Sequence, residues 1–454
     1  MASEASAAQS LHIPDRLESL PDGWEWYRLD VICDEIVDCP HSTPALTEIG
    51  PLLARSQDIR TGVFRVEMAG RVSEETYKER IARAEPRHGD LLYSREGTYF
   101  GIAAEVPPGT RVCLGQRMVL IRPNKKRMNS RFLWYWLNSP IIATHIFGFR
   151  DGTVAERLNL PTIRGLPVAV PPCKEQDAIA CVLGTLDDKI ELNRRTNQTL
   201  EGLARAVFRS WFVDFDPVVL KAAARSPVSM KAAAAALFPD SFLDSPIGPI
   251  PKGWGVEPLP EVIEVNPPRR LLSGVRAPYV DMGNMPTDSA RVLRWIDREA
   301  GSGMRFQNGD TLVARITPCL ENGKTAYVDF LADGQVGWGS TEYIVLRSKP
   351  PLSPEFAYLL ARTEEFRSHA IANMTGSSGR QRVPADSLRN FFLAVPGSRI
   401  AELFGKWVKP LFDGMKTRGE QSDTLAALRD ALLPRLLSGE LRLTDAKRAI
   451  GAVV

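Results

Sequence analysis

The chain is built from two copies of one pattern, and this limits the architectures open to it more than any single motif does. Asn197-Gln198-Thr199-Leu200-Glu201-Gly202-Leu203 aligns with Ser422-Asp423-Thr424-Leu425-Ala426-Ala427-Leu428, at an offset of 424 − 199 = 225. The same offset pairs Asp188 with Asp413, Ile190 with Met415, Val170-Pro171 with Val395-Pro396, and Met118-Val119-Leu120-Ile121-Arg122 with Tyr343-Ile344-Val345-Leu346-Arg347. Upstream the offset drifts, as loop insertions require. Gly89-Asp90-Leu91-Leu92 matches Gly309-Asp310-Thr311-Leu312, Arg95 matches Arg315, and Pro21-Asp22-Gly23-Trp24 matches Pro251-Lys252-Gly253-Trp254. A collinear series this long predicts a pseudo-two-fold internal repeat.

Each half has two parts. The first part (15–172, then 251–397) breaks short apolar runs with Gly, Pro, Asn and Asp, which predicts a compact α+β domain. Val168-Ala169-Val170 and Tyr343 to Leu346 read as strands, and Ser130 to Leu137 and Pro354 to Ala361 as short helices. The second part (173–216, then 398–443) is a long helix. Ile179, Val182, Leu186, Ile190, Asn193, Asn197, Leu200, Ala204 and Val207 step by threes and fours, a heptad seam with two polar positions. Ile400, Phe404, Trp407, Leu411, Met415, Ser422, Leu425 and Leu432 repeat the rhythm, and Leu428 falls in the duplicated segment. Pro410 predicts a bend or break in that second helix. Residues 217–250, rich in Ala, Pro and Ser, read as an exposed, extended linker with room for a short Ala helix. Residues 1–14 and 444–454 read as tails.

Composition excludes some classes. Of 454 residues, 44% are hydrophobic, too many for a disordered chain. No apolar run reaches the ~20 residues that cross a bilayer, and the Ala/Ser-rich start has no leader pattern. Six scattered cysteines form no disulfide framework, so a cytoplasmic, reduced protein is expected. The net charge of +3 is too small to argue for a non-specific nucleic-acid binder.

Motifs that imitate catalytic chemistry are spoiled. Asn266-Pro267-Pro268-Arg269 resembles the loop of adenine-N6 methyltransferases, but Arg269 stands where an aromatic residue must stack on a flipped base. No Gly-rich turn upstream suits S-adenosylmethionine. Gly323-Lys324-Thr325 imitates the end of a P-loop, but Pro318 occupies the first Gly position. Cys33, Cys39 and His41 lack a second ligand pair at zinc spacing. No catalytic or metal site is expected, and Asp187 and Asp188 read as solvated helix carboxylates.

Several stretches, in order, carry a family resemblance. They are Asp38-Cys39-Pro40-His41-Ser42-Thr43-Pro44, Ser210-Trp211-Phe212-Val213-Asp214-Phe215-Asp216-Pro217-Val218, Leu237-Phe238-Pro239-Asp240-Ser241-Phe242, Ile250-Pro251-Lys252-Gly253-Trp254, Thr317-Pro318-Cys319-Leu320-Glu321-Asn322-Gly323-Lys324 and Leu433-Pro434-Arg435-Leu436-Leu437-Ser438-Gly439-Glu440-Leu441. Over about residues 17–443 the chain resembles the specificity subunits of type I restriction–modification systems. The resemblance implies two tandem target-recognition domains, each reading one half of a bipartite asymmetric DNA site, separated by two long antiparallel coiled-coil helices. It implies two modification subunits as partners, and restriction subunits beside them. S-adenosylmethionine, ATP and Mg would sit on those partners, with no cofactor on this chain and no chemistry performed by it.

Sequence is read where side chains reach base edges, and matched polar loops supply the candidates. In the first domain these are Arg95 and Thr98, Gln116 and Arg117, and the loop of Arg150, Thr153 and Arg157. In the second they are Arg315 and Thr317, Ser340 and Glu342, and the loop of Ser377, Ser378, Arg380 and Arg382. Trp24 and Trp254 read as core residues. The spacer and subunit-contact positions are Leu186, Ile190, Asn193, Asn197, Leu200, Leu411, Met415, Leu425 and Leu428. Two other classes compete with this reading. A duplicated coiled-coil scaffold without DNA specificity is the alternative. A fused modification–specificity enzyme or nuclease would need several hundred more residues carrying catalytic motifs.

Overall fold

The computed structural model describes residues 13–14, 20–147, 157–227, 230–292, 294–377, 379–443, 445–446 and 448. The chain divides into two compact units, one drawn from 1–190 with 424–454 and the other from 191–423. Of the candidate residues, Arg150, Thr153 and Ser378 lie outside the described residues, as do most of the two tails.

In the first unit the chain runs β1 (Glu25–Arg28), β2 (Cys33–Asp38), β3 (Thr47–Ala54), β4 (Gly70–Arg71), α1 (Glu74–Arg80), β5 (Leu91–Ser94), β6 (Ala103–Glu105), β7 (Val112–Leu114), β8 (Met118–Pro123), α2 (Ser130–Leu137), α3 (Pro140–Phe147), α4 (Leu160–Arg164), β9 (Pro167–Val170) and then enters α5 (Cys173–Phe212). Its sheets are β2-β8-β5-β6, β4-β3-β7 and the pair β1-β9.

The second unit takes α5 onward through α6 (Asp216–Ala222), α7 (Ala232–Ala235), β10 (Phe242–Leu243), β11 (Ile250–Pro251), β12 (Gly255–Pro258), α8 (Leu259–Val262), β13 (Ile263–Val265), β14 (Arg276–Val280), β15 (Ile296–Glu299), β16 (Met304–Phe306), β17 (Thr311–Ala314), β18 (Thr325–Tyr327), β19 (Gly337–Gly339), β20 (Tyr343–Ser348), α9 (Pro354–Ala361), α10 (Glu364–Ala372), β21 (Phe392–Val395) and α11 (Ser398–Leu437). Its sheets are β13-β20-β17-β18, β15-β14-β19-β16, and the pairs β12-β21 and β10-β11. Apart from the β10-β11 pair and the extra strand β16, the sheets repeat those of the first unit. The four-stranded sheets have one strand order, the second sheets share a parallel pair (β3 with β7, β14 with β19), and the closing ribbons correspond.

The central sheet of each unit is covered on both faces, which explains why its strands read as continuous apolar runs rather than as alternation. In β5 and β8, Leu91, Tyr93, Val119 and Ile121 join a core with α2, α3 and α5. Leu92, Met118 and Leu120 point the other way, into a core with β3, β6 and β7. In the second unit Val313, Ile344 and Leu346 take the helix side, and Leu312, Tyr343 and Val345 the other. Each such side chain contributes roughly 1.5–3 kcal/mol on burial.

The matched Gly-Asp motif anchors this sheet. Gly89 and Gly309 turn at φ +91° and +87°, a conformation that favours glycine. Asp90 then accepts from Arg87 N at 2.9 Å and from Arg122 Nη2 at 2.8 Å. Asp310, fully buried, accepts from Gln307 N at 2.7 Å, Arg347 Nη1 at 2.6 Å and Arg269 Nη2 at 2.9 Å. The two matched motifs of each half are thus joined by a buried ion pair.

The helices hold to their expected spans, with corrections. The first ends at Phe212 rather than at Asp216, where the chain breaks at Phe215 (φ +53°) before α6 starts. Pro410 does not break α11, which is continuous from Ser398 to Leu437. Pro410 is exposed, so the carbonyl it strands one turn back, also on an exposed residue, can be hydrated. Within the second unit the two helices pair antiparallel. Asn193 Nδ2 meets Gln421 Oε1 at 2.9 Å and Ser422 Oγ at 3.2 Å, and Asn197 Nδ2 meets Met415 O at 3.1 Å. Within the first unit Leu186 and Leu425 are fully buried in one core, with Ile190 and Leu428 packed against it. Leu200 and Leu411 pack against the core of the second unit, which includes Met415. Trp407 departs from the seam and is 42% exposed. Asp187 is not solvated either: its carboxylate takes Arg429 Nη1 at 2.7 Å and the Tyr135 hydroxyl at 2.5 Å.

Residues 217–250 are not an extended linker. Val218, Phe238 and Ile250 are buried in the core of the second unit, and β10 pairs with β11. Pro217 sits in the first turn of α6, where its missing N–H costs nothing. At the other end, Ala446 is fully buried in the first unit's core.

Candidate nucleic-acid interface

Three loops converge on the same backbone frame in each unit. In the first unit Arg95, just past β5, donates its N–H to Arg117 O at 3.0 Å and accepts Leu158 N at 2.8 Å, while Glu96 bridges to Arg157. In the second, Arg315 N donates to Glu342 O at 3.0 Å, Arg315 O accepts Val383 N at 2.8 Å, and Ile316 bridges to Arg382. These bonds make Arg95 and Arg315 equivalent, and likewise Arg117 and Glu342, and Arg157 and Arg382. Candidates up to 287 residues apart within the chain therefore fall into two matching patches, one per unit (382 − 95 = 287).

The side chains on the two frames are wired differently. In the first unit Arg95 Nη1 donates to Asp38 Oδ2 at 2.8 Å, with His41 Nε2 at 3.5 Å from the same oxygen. Arg117, at φ +73°, pairs with Glu96 at 3.2 Å. Gln116 accepts from Thr43 Oγ1 at 2.9 Å and donates to His41 O at 3.4 Å. Thr98 and Arg157 are exposed. Beneath the patch, burial pushes the Cys39 thiol up from its ordinary value.

In the second unit the carboxylate sits on the middle loop. Glu342 accepts Arg382 Nε at 2.9 Å and Nη2 at 2.8 Å, which raises the Arg382 guanidinium above its ordinary value. Ser340 Oγ accepts Glu342 N at 3.1 Å. Thr317 exchanges two bonds with Gln381, its N–H to Gln381 O at 3.0 Å and its Oγ1 from Gln381 N at 3.1 Å. Ser377 and Arg380 are exposed, joined by a 3.0 Å turn bond from Arg380 N.

Sequence reasoning missed four residues of these patches: Asp38, Thr43, Glu96 and Gln381. Asp38 and Thr43 stand in a stretch that carried the family resemblance, and Glu96 follows Arg95 directly. Trp24 and Trp254 are core residues. Trp24 is 6% exposed with Nε1 on Glu175 at 3.2 Å, and Trp254 packs between Phe212 and Phe215.

The imitation motifs have structural work. Asn266, at φ +53°, closes the edge of the central sheet, its Oδ1 accepting Val345 N at 2.9 Å, and Arg269 belongs to Asp310. Lys324 Nζ donates to Met282 O at 2.6 Å and Thr325 opens β18.

Two α+β units with matching loop patches define a duplicated α+β protein through which two long helices run. The family model described as "Type I restriction modification DNA specificity domain" matches residues 51–202. The MjaIX specificity subunit of Methanocaldococcus jannaschii is 23% identical over 388 residues, 82% of each chain. The HindI specificity subunit of Haemophilus influenzae is 25% identical over 406 residues, 78% of this chain and 87% of that one. The fold is shared with the crystal structure of a type I restriction–modification S subunit from M. genitalium, at a TM-score of 0.52 and 14% identity over 92% of this chain and 96% of that one. By these matches the chain is similar to the specificity subunits of type I restriction–modification systems.

Proposed function

We propose that each unit reads one half of a bipartite, asymmetric DNA site through its three-loop patch. The paired stretches of α5 and α11 set the spacer between the half-sites and dock two modification subunits. The restriction subunits join that assembly, in the cytoplasm. The chain itself performs no chemistry: S-adenosylmethionine, ATP and Mg act on the partners.

The observation that carries this reading is the pair of patches with one main-chain frame and different side chains. Main-chain bonds place the loops whatever residues they display, so each patch can present its own donors and acceptors to base edges. Affinity from phosphate contacts is expected to fall steeply with salt.

The test is methylation mapping in cells carrying the complete system, with wild type and an Arg380→Ala/Arg382→Ala variant. Wild type is expected to mark a two-part motif, and the variant to relax one half only. Loss of a base contact costs about 1–3 kcal/mol. Methylation without a sequence motif, or equal relaxation of both halves, would overturn the reading.

A further inference from the structure

We propose that Arg315 is the side chain with which the second unit reads a guanine, an inference that rests on the DNA-reading role above.

Strand register fixes the equivalences. In the first unit Val119 pairs with both Tyr93 and Asp38. Its counterpart Ile344 pairs with Val313, but β13 ends at Val265, opposite Leu346, and Asn266 turns to φ +53°, so no residue of β13 pairs with Ile344 as Asp38 pairs with Val119. The carboxylate that holds Arg95 at 2.8 Å in the first unit is therefore missing opposite Arg315.

Glu342 does not replace it. That carboxylate is taken by Arg382, through Nε at 2.9 Å and Nη2 at 2.8 Å. Among the described residues Arg315 makes no side-chain hydrogen bond or ion pair, and its Nε is shut off from water without a partner. Its backbone is pinned on both sides, by Glu342 O and Val383 N. The side chain is only partly exposed, so its freedom is restricted.

The result is a held, unneutralised guanidinium at the centre of the patch. A planar fork of N–H donors fits a pair of acceptors side by side. In the major groove that pair is O6 and N7 of guanine, the commonest arginine contact to a base. A phosphate also offers paired oxygens, so the test must separate the two.

The experiment uses the complete modification complex. The site is mapped first with wild type, Arg315→Ala and Arg315→Lys, the last keeping the charge without the fork. Arg315→Ala is expected to lose discrimination at one G·C pair in one half-site, with the other half unchanged. Binding is then measured on duplexes carrying 7-deazaguanine at that position, which removes N7. Wild type should bind these more weakly than the native duplex, by less than the roughly 5- to 150-fold of a whole bidentate contact because O6 remains. Arg315→Ala should show no further loss, and Arg315→Lys should fall between. Equal weakening on every sequence, with the salt slope reduced by about one, would make Arg315 a phosphate contact and overturn the proposal. An unchanged site profile would overturn it too. A wild-type complex without sequence preference would instead refute the DNA-reading role itself, whatever the variants do.

Discussion

Replacing Asn197 with Leu should stabilise the helix pair of the second unit, and replacing Asn193 with Ala should weaken it, although both residues sit on the same seam. Asn193 is 3% exposed and its Nδ2 reaches Gln421 Oε1 at 2.9 Å and Ser422 Oγ at 3.2 Å. Two net hydrogen bonds, each worth about 0.5–1.5 kcal/mol, put the cost of Asn193→Ala at about 1–3 kcal/mol. Asn197 makes one bond, to Met415 O at 3.1 Å, and its Oδ1 is buried without a partner. A buried unpaired acceptor costs about 1–3 kcal/mol, which a Leu removes. Met415 lies inside α11, where its carbonyl keeps the helical bond. Asn197→Leu is therefore expected to gain about 0.5–1.5 kcal/mol, once the lost bond is subtracted. Because the chain has two units, global unfolding is a poor probe. Amide hydrogen exchange over residues 191–212 and 398–423 reports the pair directly. Slower exchange in Asn197→Leu and faster in Asn193→Ala is expected. The opposite order would refute the reasoning.

Three further outcomes are expected. Asp310→Ala leaves Arg269 and Arg347 without their shared buried carboxylate and should cost the second unit about 3–5 kcal/mol, read by amide hydrogen exchange of β17 and β20. Burial pushes the Asp329 carboxyl up to about 6, against the opposing pull of Arg291 and Lys416. The folded state then holds a proton that the unfolded chain releases near pH 4, so stability of the second unit should fall as pH rises from about 4 to 6, and Asp329→Asn should flatten that slope in hydrogen exchange of the second unit across the range. Inserting four residues after Asn193 adds roughly 6 Å of helix and rotates the seam by only about 40°. The preferred spacer should lengthen by nearly two base pairs at about 3.4 Å each, measured on duplexes varied one base pair at a time, and an unchanged optimum in an active variant would separate helix length from spacing.

What the sequence disclosed was what the repeat constrains. The helices Ser130–Leu137 and Pro354–Ala361 are where the pattern places them. The matched Gly89-Asp90 and Arg122, like Gly309-Asp310 and Arg347, are two ends of one ion pair. What stayed hidden needs tertiary context. Pro410 is tolerated because it faces solvent, which no periodicity states. Residues 217–250 carry linker composition, but Val218 and Phe238 are apolar anchors whose receiving core is formed by residues far along the chain. Asp38 is 57 residues from Arg95, and only the register of β2 on β8 and β8 on β5 brings them together. The candidate loops themselves were legible because polar residues recur at matched places, while their internal pairing was not.

That pairing is where the two halves have diverged, and the division between frame and display explains how they could. The frame is main chain: Arg95 N to Arg117 O and Leu158 N to Arg95 O in one unit, Arg315 N to Glu342 O and Val383 N to Arg315 O in the other. Any residue other than proline can make the N–H bonds, so substitution of the displayed side chains leaves the loops placed. The charges must still balance locally, because a half-buried guanidinium without a counter-ion or ligand is costly. In the first unit the balance comes from Asp38 and Glu96, on the β2 end and the first loop. In the second it comes from Glu342 on the middle loop, which serves Arg382 and leaves Arg315 to be satisfied from outside. The same main-chain frame thus carries two different charge arrangements, with its carboxylates on different loops in the two units.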